Sequence, residues 1–162
     1  MKKTIMNKLL ASMATRTLKE MFLYLLILPA FLNVACSFIG SLLINSTPEN
    51  SMLIKDFLGA GYPPLVYVMF VILTCLAVPF IEEVVFRKWL WAFVNKFLNT
   101  KHTLWLTSVA FAFLHGGWYG LVLLPFALYL GYIRKEYGSF KFSTVPHVVF
   151  NTTGVLLTLG GI

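Results

Sequence analysis

Six side chains in this sequence have the types and spacing to do chemistry together: Glu82, Glu83, Arg87, His115, His147 and Asn151. The first three stand in "AVPFIEEVVFRKW" (77–89), where two carboxylates and an arginine interrupt an apolar run. A charged group deep in a bilayer costs several kcal/mol even on lenient scales, so an ionisable residue in such a run is a functional candidate by default. On a helix Glu83 and Arg87, four apart, share a face and can pair, while Glu82 is turned by about 100° and can point elsewhere. One carboxylate is then neutralised and the other stays available. Crowding by a second carboxylate in a poorly solvated place makes such a group a better proton acceptor near neutral pH. The same acidic pair could instead cap an interfacial helix that starts after Pro79.

His115 closes "FAFLHGG", one turn after Phe111; before Gly-Gly it could equally be an interface residue or a satisfied core group. His147 and Asn151, in "PHVVFN", are also one turn apart, so imidazole and amide project from one face. Hydrogen bonding between membrane helices would use the same pair. Taken together, the three segments supply a carboxylate base, two imidazoles and an amide donor. Those are the parts needed to activate water, stabilise an oxyanion and protonate a leaving amine.

The elements that must position these groups follow from composition. Hydrophobic residues make up 59% of the 162 and charged residues 12%, with a mean hydropathy of +0.81. Both fractions are those of a membrane protein. The expected fold class is all-α, a polytopic transmembrane helical bundle of about five spans. Candidate spans are 21–45, 63–81, 103–117, 118–133 after a Gly-Gly turn, and 143–162, each close to the roughly 20 residues a bilayer requires or shortened by shielding. Basic and aromatic residues alternate in "VVFRKWLWAFVNKFL", which reads as an interfacial helical extension of the second span. Residues 1–20 form a basic N-terminal segment, and 21–162 a single transmembrane domain with the catalytic half at about 63–162. The first span is too long, and its approach too extended, for a signal peptide.

Of the 13 Lys and Arg residues, all but Lys55 fall on one side of this layout. Basic residues accumulate on the cytoplasmic side, so the N-terminus is expected there. The +7 formal charge is a topology signal and a contact for anionic lipid headgroups. It gives no ground for nucleic acid as a partner, since no basic helix or stacking platform stands apart from the membrane. Cys36 and Cys75 lie within apolar runs and read as buried small hydrophobes. No phosphate-cradling glycine loop, CxxC pair or internal repeat is present.

At these residues the chain resembles the CAAX protease and bacteriocin-processing (CPBP, or Abi) family of intramembrane proteases. "EEVVFR" fits an EExxxR motif, "FAFLH" an FxxxH motif and "HVVFN" an HxxxN motif, in the family's order over roughly 65–162. The resemblance implies a peptide hydrolase in which Glu82 activates water and Glu83 and Arg87 orient and tune it. It further implies that His115, His147 and Asn151 hold the water and stabilise the tetrahedral oxyanion, with Phe111 shaping the pocket wall. Lys88 stands where many members have glycine, and only one span precedes the catalytic half. Substrate entry could therefore differ, or a second copy of the chain could supply a missing wall. The short form is similar to members in Gram-positive bacteria associated with bacteriocin self-immunity or peptide maturation, which implies a multi-pass protein of the cell membrane.

No cofactor is expected, but two histidines and a glutamate can also bind zinc; the ligands would be Glu82, His115 and His147. The absence of HExxH and the presence of Asn151, a poor zinc ligand, favour a metal-free mechanism. Two other classes stay open: a non-catalytic membrane immunity or binding protein, and a proton-coupled carrier. One geometric difficulty arises from the spans as drawn. His115 lies about twelve residues from its span's cytoplasmic end, so straight helices would hold it more than about 10 Å from Glu82 and His147.

Overall fold

The computed structural model describes residues 18–44 and 55–160, all of whose regular structure is helical. Five long helices form the bundle: α1 (18–44), α2 (Pro64–Val94), α3 (Thr100–Phe113), α4 (Gly117–Tyr137) and α5 (Phe140–Leu159). A short helical stretch at 55–59 precedes α2. Among the described residues two helices are long and apolar enough to cross a membrane, Lys19–Leu43 and Pro64–Val94.

The helix ends obey local chemistry. Proline begins α2, where its missing N–H costs nothing. The Asn99 side chain caps α3 by accepting from the His102 amide at 3.0 Å, and the Ser139 side chain caps α5 by accepting from the Lys141 amide. Gly138, at φ 68°, ends α4 in the left-handed conformation that glycine adopts without strain.

The helical extension expected beyond residue 81 is present, because α2 runs unbroken to Val94, but the capping alternative falls. Glu82 and Glu83 are therefore mid-helix residues and cap nothing. The basic-aromatic stretch is a direct continuation of α2, turned so that Phe86, Arg87, Trp91 and Val94 are buried while Lys88 and Trp89 face outward. Arg87 is an interior residue and leaves the set of charges that could orient the chain.

Three stretches of helix are widened into π-type turns, in which amides reach back five residues instead of four: Leu23–Ile27 in α1, and Leu73–Ala77 and Val84–Leu90 in α2. The last begins immediately after Glu83.

The core sits between α3 and α4. Phe111, Ala112, Leu123, Phe126, Ala127 and Leu130 pack there with Phe86, Phe150 and Cys36. Small residues permit the close approach. A Cβ on Gly120 would penetrate the backbone carbonyl of Ala112, and one on Gly131 would lie 2.8 Å from Ser108 Oγ. Membrane helices associate through this kind of contact. Cys36 and Cys75 are buried and free, as their apolar surroundings suggest, and the Cys36 thiol donates to the Val122 carbonyl. Large apolar side chains line the outer faces, including Phe31, Leu43, Leu65 and Ile81, each more than half exposed. An exterior of that composition matches lipid as its solvent.

Candidate active site

Adjacent positions on α2 send the two glutamates into different environments. Glu83 is fully buried. Its Oε2 accepts from the Ser143 hydroxyl and lies 4.0 Å from Arg87 Nε, and its Oε1 is 3.2 Å from His147 Nδ1. Arg87, also fully buried, spends its other nitrogens on two carbonyls: Nη1 donates to Thr107 O at 3.3 Å and Nη2 to Ala127 O at 2.9 Å. The guanidinium also lies over the Phe111 ring. A charge so placed is stable only because it is both paired and hydrogen-bonded.

Glu82 keeps a quarter of its side chain exposed and meets both histidines. Its Oε2 is 3.3 Å from His147 Nε2, and its Oε1 is 3.6 Å from His115 Nε2. The expected gap of more than 10 Å is absent. Glu82 lies twelve residues above the end of α2 and His115 fifteen residues beyond the start of α3, so from the shared α2–α3 turn both stand roughly 20 Å up. The long α2 removes the mismatch.

His115 occupies the α3–α4 turn, where Gly116 at φ 96° reverses the chain and lets the ring face the bundle. Its ring stacks near Phe111, and its Nδ1 is 2.8 Å from the Phe111 carbonyl. His147 is almost wholly buried between the Phe111 and Phe126 rings.

The neighbours assign both tautomers. A carbonyl oxygen can only accept, so His115 Nδ1 carries the hydrogen; an ionised Glu83 can only accept, so His147 Nδ1 does too. Each ring then turns Nε2 toward the Glu82 carboxylate. Two lone pairs facing an anionic oxygen repel, so the cluster is at rest only with a proton or the hydrogens of a water among these atoms. Such a cluster can take a proton from water and return it to a leaving group. Zinc-binding histidines are likewise oriented by oxygen on the far nitrogen. Among the described residues, however, no group of three or more His, Cys, Asp or Glu side chains is arranged to hold a metal ion.

Asn151 shares a helix face with His147 but is not drawn into the Glu82 cluster. Its Nδ2 donates to the Thr74 carbonyl of α2 at 3.2 Å.

Several participants escape a search for acids, imidazoles and amides. Ser143 precedes His147 by one turn, and that i, i+4 spacing in an apolar helix is the signal that could have found it. Ser108 donates to Ala127 O at 2.9 Å, beside Arg87 Nη2. Arg134 donates from Nε to the Arg87 carbonyl at 3.0 Å and lies over the Trp91 ring, so it braces the helix that carries the glutamates. Nothing in the local sequence distinguishes Arg134 from a basic residue ending a span.

A family model described as Type II CAAX prenyl endopeptidase Rce1-like matches residues 64–153. That stretch is more than half of the chain, begins with α2 and contains all six candidate residues. No curated protein and no solved structure matches the chain.

Proposed function

The chain belongs to the Type II CAAX prenyl endopeptidase Rce1-like family, and on that premise we propose that it is an intramembrane endopeptidase whose water nucleophile is activated by Glu82. Its substrate is a membrane-associated peptide or protein. The observation that carries this reading is the convergence of two imidazole Nε2 atoms on the Glu82 carboxylate, at 3.3 and 3.6 Å, with both Nδ1 atoms already held by oxygen.

In the reaction, Glu82 removes a proton from water as the water oxygen adds to the scissile carbonyl carbon. The carbonyl π electrons move to oxygen, and that oxyanion is stabilised by the N–H of a protonated His115 or His147 and by the second amide hydrogen of Asn151. Collapse of the tetrahedral intermediate breaks the C–N bond, and the stored proton passes to the departing amine. Glu83 holds the His147 tautomer, while Arg87 fixes the position of Glu83. Ser143 supports the same carboxylate.

The wider setting extends this reading. With its N-terminus in the cytoplasm the site opens to that side, lipid covers the apolar exterior, and the biological setting is bacteriocin self-immunity or peptide maturation in a Gram-positive cell membrane. A second copy of the chain could complete the wall on the side where other members have further spans.

The test compares wild type with Glu82→Gln at equal membrane levels in a bacterium, by mass spectrometry of every peptide released or shortened. A defined set of cleaved peptides that vanishes with the amide establishes the protease and names its substrate class. Identical peptides from both, with any protective phenotype retained, would leave a non-catalytic binding protein. A zinc-dependent form has one observation in its favour, the oxygen-held imidazoles, and its ligands would be Glu82, His115 and His147. Cleavage is expected to survive strong chelators; loss that added zinc restores would establish the metal form.

A further inference from the structure

Asn151 makes its one hydrogen bond to a carbonyl that the helix itself cannot satisfy. In an α-helix the Thr74 carbonyl would accept from the Val78 amide, four residues on. In the widened turn Leu73–Ala77 the Val78 amide bonds to Leu73 O instead. A π-type turn would next offer the amide of residue 79, but position 79 is proline and has no N–H. Thr74 O is thus left without a helical donor by two features acting together, inside a bundle where water is scarce. An unpaired carbonyl there costs free energy comparable to a lost hydrogen bond. The Asn151 Nδ2 closes it at 3.2 Å.

The same construction occurs once more, far from the site. In α1 the Leu28 amide passes over Tyr24 O to reach Leu23 O, residue 29 is proline, and the Tyr129 hydroxyl of α4 donates to Tyr24 O. Two widened turns, each followed by proline at the same offset, are therefore each closed by a side chain from another helix. Only the one in α2 involves a candidate catalytic residue.

We propose that Pro79 is a positioning residue: by orphaning the Thr74 carbonyl it fixes the orientation of the Asn151 amide, leaving the second Nδ2 hydrogen free for the developing oxyanion. An amide has two donors on one nitrogen and rotates about a single bond. When one hydrogen is committed to Thr74 O, the direction of the other is set before substrate arrives, which is the kind of preorganisation that oxyanion stabilisation requires. Pro79 is itself almost wholly buried, three residues before Glu82, so a single turn of α2 sets both the base and, through Thr74, the amide on the facing helix. The catalytic part of this inference rests on the protease reading above; the link from Pro79 to Asn151 does not.

The test restores the missing N–H. Pro79→Ala gives residue 79 an amide that can reach Thr74 O, and because it removes a helix-breaking residue the fold is retained. The side-chain amide of Asn151 is followed by NMR in the full chain in detergent, with asparagine labelled by nitrogen-15 and the signal assigned by its loss in Asn151→Asp. In wild type the bonded hydrogen is displaced from the position of a free amide; in Pro79→Ala the separation of the two falls to that of an unbonded asparagine amide and the hydrogens exchange about two- to tenfold faster, as loss of one hydrogen bond entails. Pro29→Ala, the same change in α1, leaves the Asn151 signal untouched. Where cleavage that depends on Glu82 is measurable, kcat falls about tenfold in Pro79→Ala with KM unchanged, and Pro79→Ala adds nothing on top of Asn151→Leu. Should Pro79→Ala not be recovered, Pro79→Val supplies the N–H with a side chain of similar volume and is read the same way. A folded variant whose Asn151 amide behaves as in wild type would overturn the proposal, as would a collapsed amide signal with kcat unchanged. Absence of any Glu82-dependent cleavage in wild type would defeat the protease reading alone, and the resonance would still decide whether Pro79 orients Asn151.

Discussion

On one side of α2, Glu83 and Arg87 are sealed between α3, α4 and α5, where a hydroxyl and an imidazole meet the carboxylate and two carbonyls accept from the guanidinium Nη1 and Nη2. On the other side, one residue earlier, Glu82 keeps a quarter of its surface open and faces only the two Nε2 atoms. Both regions consist of the same chemistry, a carboxylate near basic groups. They differ in completeness. In the sealed region all but Arg87 Nε meet a hydrogen-bond partner, and that atom still lies 4.0 Å from the Glu83 carboxylate, so the arrangement serves the fold; in the open region acceptors face acceptors, which suits the handling of a proton. A helix delivers both from one dipeptide because successive side chains diverge by about 100°.

Substitutions that exchange the character of the two sides test this contrast. The largest effect is expected at Glu82. Replacement by glutamine keeps size and hydrogen bonding but removes the base, so cleavage should fall about a thousandfold, within the range for general base catalysis, while unfolding in detergent stays unchanged. Arg87→Ala should do the reverse. It strands a buried carboxylate, and loss of one partner of such a pair costs about 3–5 kcal/mol, read as a lowered unfolding midpoint and poor accumulation in the membrane. If Glu82→Gln destabilised the protein as much as Arg87→Ala, the two sides would not differ in kind.

Gly120→Ala is expected to cost about 1–3 kcal/mol, since the added methyl meets the Ala112 backbone and the helices must part. Parting them moves the α3–α4 turn, so the loss of cleavage should exceed what the loss of folded protein explains. Ser143→Ala sharpens the sealed side with the smallest effect. Removing the donor to Glu83 Oε2 should cost about 1–2 kcal/mol, and His147, held by the same carboxylate, should report it as a shift in its ring signals.

The family and the helical class were legible in the sequence because each motif is local. In EExxxR the second glutamate and the arginine, and in FxxxH and HxxxN the two end residues, are four apart, so one helical turn places each pair on one face whatever the rest of the chain does. The cysteines were legible for the same reason, as apolar surroundings in sequence became burial in space. The continuation of α2 was legible as a helical extension, but the burial of Arg87 was not, because "FRKW" carries the charge and aromatic signature of an interface. The buried partners that make Arg87 an interior residue come from Thr107 and Ala127, twenty and forty residues away.

The sequence by itself determined which side chains share a helical face, and hence that Glu83 pairs with Arg87 while Glu82 is set apart from both. It also placed prolines at 29 and 79, each of which withholds one backbone donor from its helix. Only the tertiary structure decided how the faces meet: that His115 and His147 close on opposite oxygens of the Glu82 carboxylate, that Ser143 braces the neighbouring Glu83 and Arg134 the Arg87 carbonyl, and that Asn151 reaches Thr74 O. The reason is physical. Helical periodicity is a property of covalent geometry and acts within a few residues, whereas the distance and register between helices depend on packing contacts and freed carbonyls that exist only once the helices are side by side.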